Sequence, residues 1–130
     1  MNEAQRTDRE NLIDRCIQDC RICHSVCVAT LSHCLRMGGE HADERHIIAL
    51  QDCADLCKLS EDALIRSSDM MERICRLCGD VCISCAESCE SFKDDRSMAL
   101  CAETCRTCAD SCRKLSRASE AYGSRLTSFS

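Results

Sequence analysis

The chain has 130 residues, a formal charge of −5 and 16 cysteines, with four glycines and neither proline nor tryptophan. That length supports one domain, residues 1–130, and because its aromatic residues are one tyrosine and two phenylalanines, thiols have to fill much of the interior. Charges of both signs are interspersed without a basic block, which argues against a nucleic-acid partner, and the scarcity of glycine and proline excludes phosphate loops, dinucleotide fingerprints and turn-rich β architecture.

With no proline to interrupt them, long helices are expected, broken where Gly38-Gly39, Ser67-Ser68-Asp69 and Lys93-Asp94-Asp95 cluster. The first is expected near residues 7–37, opened by Thr7 with Glu10 as a capping box, and it carries Cys16, Cys20, Cys23, Cys27 and Cys34. The second, near 42–66, starts at Asp43 and carries Cys53 and Cys57. The third, near 69–92, starts at Asp69 with Glu72 and carries Cys75, Cys78, Cys82, Cys85 and Cys89. The fourth, near 95–119, starts at Asp94 and carries Cys101, Cys105, Cys108 and Cys112, leaving 120–130 as a frayed tail. Short connections make sequential helices antiparallel, so the expected fold is all-α: an up-down-up-down four-helix bundle.

The pattern C-x3-C-x2-C-x3-C occurs three times, at Cys16 to Cys27, Cys78 to Cys89 and Cys101 to Cys112. The second helix has half of it and places Ser60 and Leu64 where the other two thiols would fall. Spacings of three, four and seven define a bundle seam, and all sixteen cysteines fall on it when the register restarts in each helix. Disulfides give no reason for such a stripe, because thiols one turn apart on a helix are poorly aimed at each other and join nothing distant. As packing, each thiol is a loss relative to leucine, at about 0.8 kcal/mol per missing methylene. The N-terminal residues MNEAQRTDREN form no secretion signal and no later run is long enough to span a membrane, so the expected setting is the reducing cytoplasm, where clustered thiols bind metal.

Thiolate selects Cu(I), zinc and its relatives, or iron–sulfur clusters. Iron–sulfur and structural zinc sites usually draw their thiolates from short loops, and zinc prefers four at one level. With only Cys53 and Cys57 on the second helix, most levels are expected to offer three thiols or fewer. Cu(I) takes two or three soft ligands and tolerates bridging, so its count approaches roughly one ion per cysteine, or about 16. Each bound Cu(I) displaces one proton, which keeps a filled core near neutral. The column from Cys16 to Cys34 makes a tube about 27 Å long.

One end of this tube is expected to be plugged by Leu12, Ile13, Leu64, Met71 and Leu115. The other gathers Met37, His41, His46, Met98 and Phe92, with Cys34 and Cys89 just inside. Imidazole and thioether bind Cu(I) without losing a proton, so His46, Met98, Met37 and His41 are candidate ligands at an entrance. His24 and His33 lie off the seam and are expected at the surface.

On these thiol repeats and the His/Met end, residues 10–117 resemble the bacterial copper storage proteins, specifically their cytosolic branch. The resemblance implies a homotetramer of four-helix bundles, each holding many Cu(I) ions, with His and Met residues near the opening. Outward apolar residues Ile48, Leu59, Leu77 and Ile83 are compatible with such an assembly. The expected function is Cu(I) storage or buffering without enzymatic activity. The alternatives are a zinc- or cadmium-sequestering protein and a thiol redox protein, the latter lacking a C-x-x-C that opens a helix after a strand.

Overall fold

In a computed structural model, the backbone of residues 7–127 and the side chains of residues 7–118 are described. Thr7 opens the first helix as expected, its Oγ1 accepting the Glu10 N–H at 3.1 Å, and α1 runs Asp8–Met37. Gly38 and Gly39 then take φ of 69° and 56°, the left-handed region that glycine enters without steric cost. A short 3-10 turn, Gly39–Ala42, brings the chain to Asp43, whose carboxylate accepts the Arg45 N–H at 3.2 Å and starts α2, Glu44–Ile65.

The next two helix starts differ from the sequence reading. After α2, Ser67 adopts φ 52°, the Ser68 N–H reaches Ala63 O at 2.9 Å and the Ser67 N–H reaches Leu64 O at 3.2 Å. This pair of bonds is a Schellman closure made with serine in place of glycine. It commits Ser68, whose Oγ then accepts the Met70 N–H, so α3 spans Met71–Glu90 and Asp69 does not cap it. Asp94, expected to cap the fourth helix, instead sits at φ 67° in the turn. Asp95 takes that role: its Oδ1 accepts the Ser97 N–H at 2.9 Å and the Met98 N–H at 3.2 Å.

The fourth helix, α4, runs Arg96–Thr127, so its backbone stays helical past residue 119. Ala118, Glu120 and Ala121 favour helix, and no proline stops it. The rest of the expected tail, residues 128–130, lies outside the described residues, as do the side chains from 119 onward.

Each helix packs on its sequence neighbour and α4 closes on α1, so the four form a square in which diagonal helices meet only through side chains. All sixteen cysteines point to the centre of that square with no exposed surface. Leu64, Met71 and Leu115 are buried at one end, with Leu12 and Ile13 packed against them, as expected of the plug. Outer ties hold the register: Arg21 Nε to Glu61 Oε2 at 2.6 Å joins α1 to α2, Ser111 Oγ donates to Asp19 across α4 and α1, and Arg106 makes a two-pronged pair with Glu90 at 2.8 and 2.7 Å. Ile48, Leu59 and Leu77 are exposed as expected, but Ile83 packs against the core because α3 turns it toward its neighbours. Among the described residues, no helix is long and apolar enough to cross a membrane.

Candidate metal centre

Thiols one turn apart are separated by about 6 Å along the helix axis, yet their side chains converge. Sγ atoms lie 4.0 Å apart in Cys16 and Cys20, and 3.9 Å apart both in Cys23 and Cys27 and in Cys78 and Cys82. Adjacent helices come as close: Cys16 to Cys112 is 3.6 Å, Cys20 to Cys108 3.7 Å and Cys53 to Cys82 3.6 Å. The diagonal is bridged too, with Cys53 to Cys105 at 3.8 Å and Cys57 to Cys108 at 3.9 Å. Sulfur therefore fills the bundle axis itself.

These contacts correct the expectation of three thiols or fewer per level. Sets of four Sγ atoms within 4.8 Å of one another recur along the column, including Cys23, Cys53, Cys57 and Cys82; Cys27, Cys85, Cys101 and Cys105; and Cys20, Cys78, Cys108 and Cys112. The reason is that one helix supplies two members of a set, which counting one thiol per helix per level overlooks. Such spacing matches the edge of a tetrahedron with metal–sulfur bonds of about 2.3 Å, so thiol count by itself does not set zinc aside. The sets overlap: Cys57 and Cys82 belong also to a set with Cys78 and Cys108, and Cys27 and Cys105 to one with Cys23 and Cys53. A filled column must therefore share sulfurs between ions.

The buried thiols exchange hydrogen bonds along this column, Cys23 Sγ donating to Cys105 Sγ at 3.8 Å and Cys53 Sγ to Cys82 Sγ at 3.6 Å. Burial favours the protonated form throughout: Cys105 is pushed up by its bond to Cys101, and Cys57 by its bond to Cys108, with burial adding to both. Each arriving ion therefore has to displace a proton from a buried thiol.

At the end opposite the plug, Cys34 Sγ donates to the Met98 Sδ at 3.5 Å and lies 3.4 Å from His46 Nε2. His46 Nδ1 is 2.7 Å from the Ser88 hydroxyl, which fixes the ring, and Phe92 lies against it with centroids 4.7 Å apart. Burial pushes the His46 pKa down, keeping the ring neutral, while burial and then the Asp95 charge raise Cys34 to about 11. The structure brings His46 and Met98 onto Cys34, as the sequence suggested. It does not bring Met37 or His41 there: Met37 is 56% exposed, because it lies at the last residue of α1, and His41 turns its Nε2 to Asp95 Oδ2 at 2.8 Å.

His33 and His24 are not free surface histidines either. His33 Nε2 meets the same Asp95 oxygen at 3.2 Å, and His24 Nδ1 lies 2.9 Å from Ala54 O. Asp95 and Ser88 are the functional-end residues that sequence reasoning missed. Asp95 stood next to the chosen cap in an Asp-Asp pair, and nothing in the sequence marks Ser88.

Burial opposes the charge of Asp95, but the hydrogen bonds from His33, His41 and the Met98 N–H outweigh it and hold its carboxyl at about 2, against 3.8 ordinarily. Its stabilising effect is therefore complete above about pH 4 and lost as pH falls toward 2. Asp95→Ala is expected to lower the unfolding free energy by about 1–2 kcal/mol at neutral pH, the usual value of a helix cap with its charge. Urea titrations of the reduced protein check this, and the difference from the unsubstituted chain is expected to shrink below pH 4.

A family model described as copper storage protein matches residues 9–117. The uncharacterized cysteine-rich protein YhjQ of Bacillus subtilis (strain 168) is 34% identical over 90 residues, covering 69% of this chain and 83% of its own. The Cu(I)-bound copper storage protein BsCsp3, of B. subtilis, superposes with a TM-score of 0.76 at 32% identity over 81% of this chain and 98% of that one. A cytosolic copper storage protein from Streptomyces lividans, solved with five coppers, gives a TM-score of 0.77 at 30% identity over 85% and 95% of the two chains. With its sixteen buried thiols on one bundle axis and the family model matched over nearly all of that bundle, the chain belongs to the copper storage protein family.

Proposed function

We propose that this protein is a cytosolic Cu(I) store or buffer that binds its cargo through the sixteen core thiolates and takes it in past Cys34, His46 and Met98. The observation that carries the reading is the overlap of the four-sulfur sets along a column with no exposed surface. Four separate zinc sites would use all sixteen thiols, each with a net charge of about −2 in a dry interior. Among the described residues no lysine or arginine is buried to offset that charge. Singly charged ions bridged by shared thiolates, about one per sulfur, leave the column near neutral. The thioether of Met98 at the entrance also suits soft Cu(I) better than zinc. The cytosolic setting follows the Streptomyces lividans relative, and assembly into a homotetramer follows the family resemblance, supported by exposed Ile48, Leu59, Leu77 and Leu100.

Anaerobic titration of the reduced protein with Cu(I) against a chromophoric Cu(I) chelator tests this. Uptake of roughly 16 ions per chain before the chelator colours is expected from one ion per thiolate. Saturation after only a few ions, or zinc that keeps its sites when Cu(I) is added, rejects the storage reading.

A further inference from the structure

Beside the sulfur-lined entrance lies a cluster of different chemistry that copper storage in the thiol column does not use. His33 comes from α1, His41 from the short 3-10 turn and Asp95 from the cap of α4, and both imidazole Nε2 atoms converge on one carboxylate oxygen, at 3.2 and 2.8 Å. The three side chains are 26%, 19% and 15% exposed, so the cluster is sheltered without being sealed. We propose that His33, His41 and Asp95 form a separate site for one divalent first-row transition ion such as Zn(II), with two imidazole nitrogens and one carboxylate oxygen as ligands.

Three features support this. The carboxylate is aimed by the helix: its Oδ1 is held by the Ser97 and Met98 N–H groups, so Oδ2 cannot swing away from the two rings. Metal bonds of about 2.0–2.2 Å from nitrogen and oxygen put neighbouring ligand atoms about 3.4 Å apart in a tetrahedron, a few tenths of an ångström more than the two nitrogen-to-Oδ2 distances. Small ring rotations reach that, each histidine moving its proton to Nδ1 to free Nε2 for the ion. The donor set discriminates: imidazole and carboxylate favour a borderline divalent ion, whereas Cu(I) prefers Cys34 and Met98 close by.

The site also touches the entrance. Phe92 lies between His41 and His46, with centroids 4.4 and 4.7 Å away, so reorientation of His41 on metal binding is transmitted to the ring beside Cys34.

Cobalt(II) is the probe, added anaerobically to protein whose thiols are already filled with Cu(I). Copper uptake is measured before cobalt is added, so a failure of the storage reading shows as copper left with the chelator, separately from any cobalt result. The expected outcome is one cobalt per chain with visible d–d bands and no near-ultraviolet thiolate-to-cobalt charge transfer. His33→Ala and His41→Ala are each expected to weaken cobalt binding by about tenfold or more, with helical circular dichroism retained, while His24→Ala leaves it unchanged. No cobalt retained by the filled protein, a thiolate charge-transfer band, or retention undiminished in both the His33 and His41 variants overturns the proposal.

Discussion

Cu(I) loading is expected to slow by about tenfold or more when His46 and Met98 are both replaced, with capacity falling by no more than about one or two ions. The reason is the burial of the column. Every thiol is fully covered, and Cys34, the outermost thiol of α1, touches a histidine that is 3% exposed and a methionine that is fully buried. An ion arriving from water has to exchange its carrier's ligands for protein ligands before it meets a thiolate, and Cys34 is itself held protonated by burial. Neutral imidazole and thioether bind Cu(I) with no proton to lose, which lets them hold the ion while the Cys34 proton departs. The choice of substitution matters because Met98→Ala opens a cavity at a cost of about 2–5 kcal/mol, confusing slow loading with a loosened bundle. Met98→Leu keeps the volume at a cost below about 1.5 kcal/mol and removes only the sulfur. His46→Ala with Met98→Leu, followed by stopped-flow transfer from a Cu(I) chelator, separates the two effects. Unaltered transfer rates remove both residues from the entry path.

The thiol column was legible in the sequence because its period is the period of a helix seam. Cys16 through Cys112 could be placed on one axis from spacing alone, and their burial follows from that register. Helix ends were legible where a single side chain decides them, as at Thr7 and Asp43, and misread where two neighbours compete, as at Asp94 and Asp95. The sets of four sulfurs were not legible. They depend on which rotamer each thiol adopts and on contacts across the diagonal, such as Cys57 to Cys108, which no single-helix pattern encodes. The histidines show the same limit. His46 lies in register with Cys53 and was found, but His33 and His41 sit off the seam and are brought together only by Asp95 from the other end of the chain.

Ser60 exposes what the second helix lost. It occupies a thiol position of the repeat, has no exposed surface, and its Oγ is the buried side-chain oxygen left without a hydrogen-bond partner among the described residues. A hydroxyl in that state costs about 1–3 kcal/mol relative to one that is paired. Ser60→Ala removes the orphaned oxygen at nearly the same volume, so the metal-free protein is expected to gain about 1 kcal/mol, seen as a rise of roughly 3–5 °C in its Tm. Ser60→Cys is expected to take up about one more Cu(I) than the parent in the chelator titration, because it completes a third member of the repeat on α2 beside Cys57. The two substitutions pull apart the two roles of the position. If alanine destabilises the metal-free chain, the hydroxyl has a partner in solution; if cysteine adds no copper, this stretch of α2 lies outside the storage column. Leu64→Cys, one turn further toward the plug, is expected to cost about 1–2 kcal/mol of apolar burial, which sets the plug's packing against added capacity.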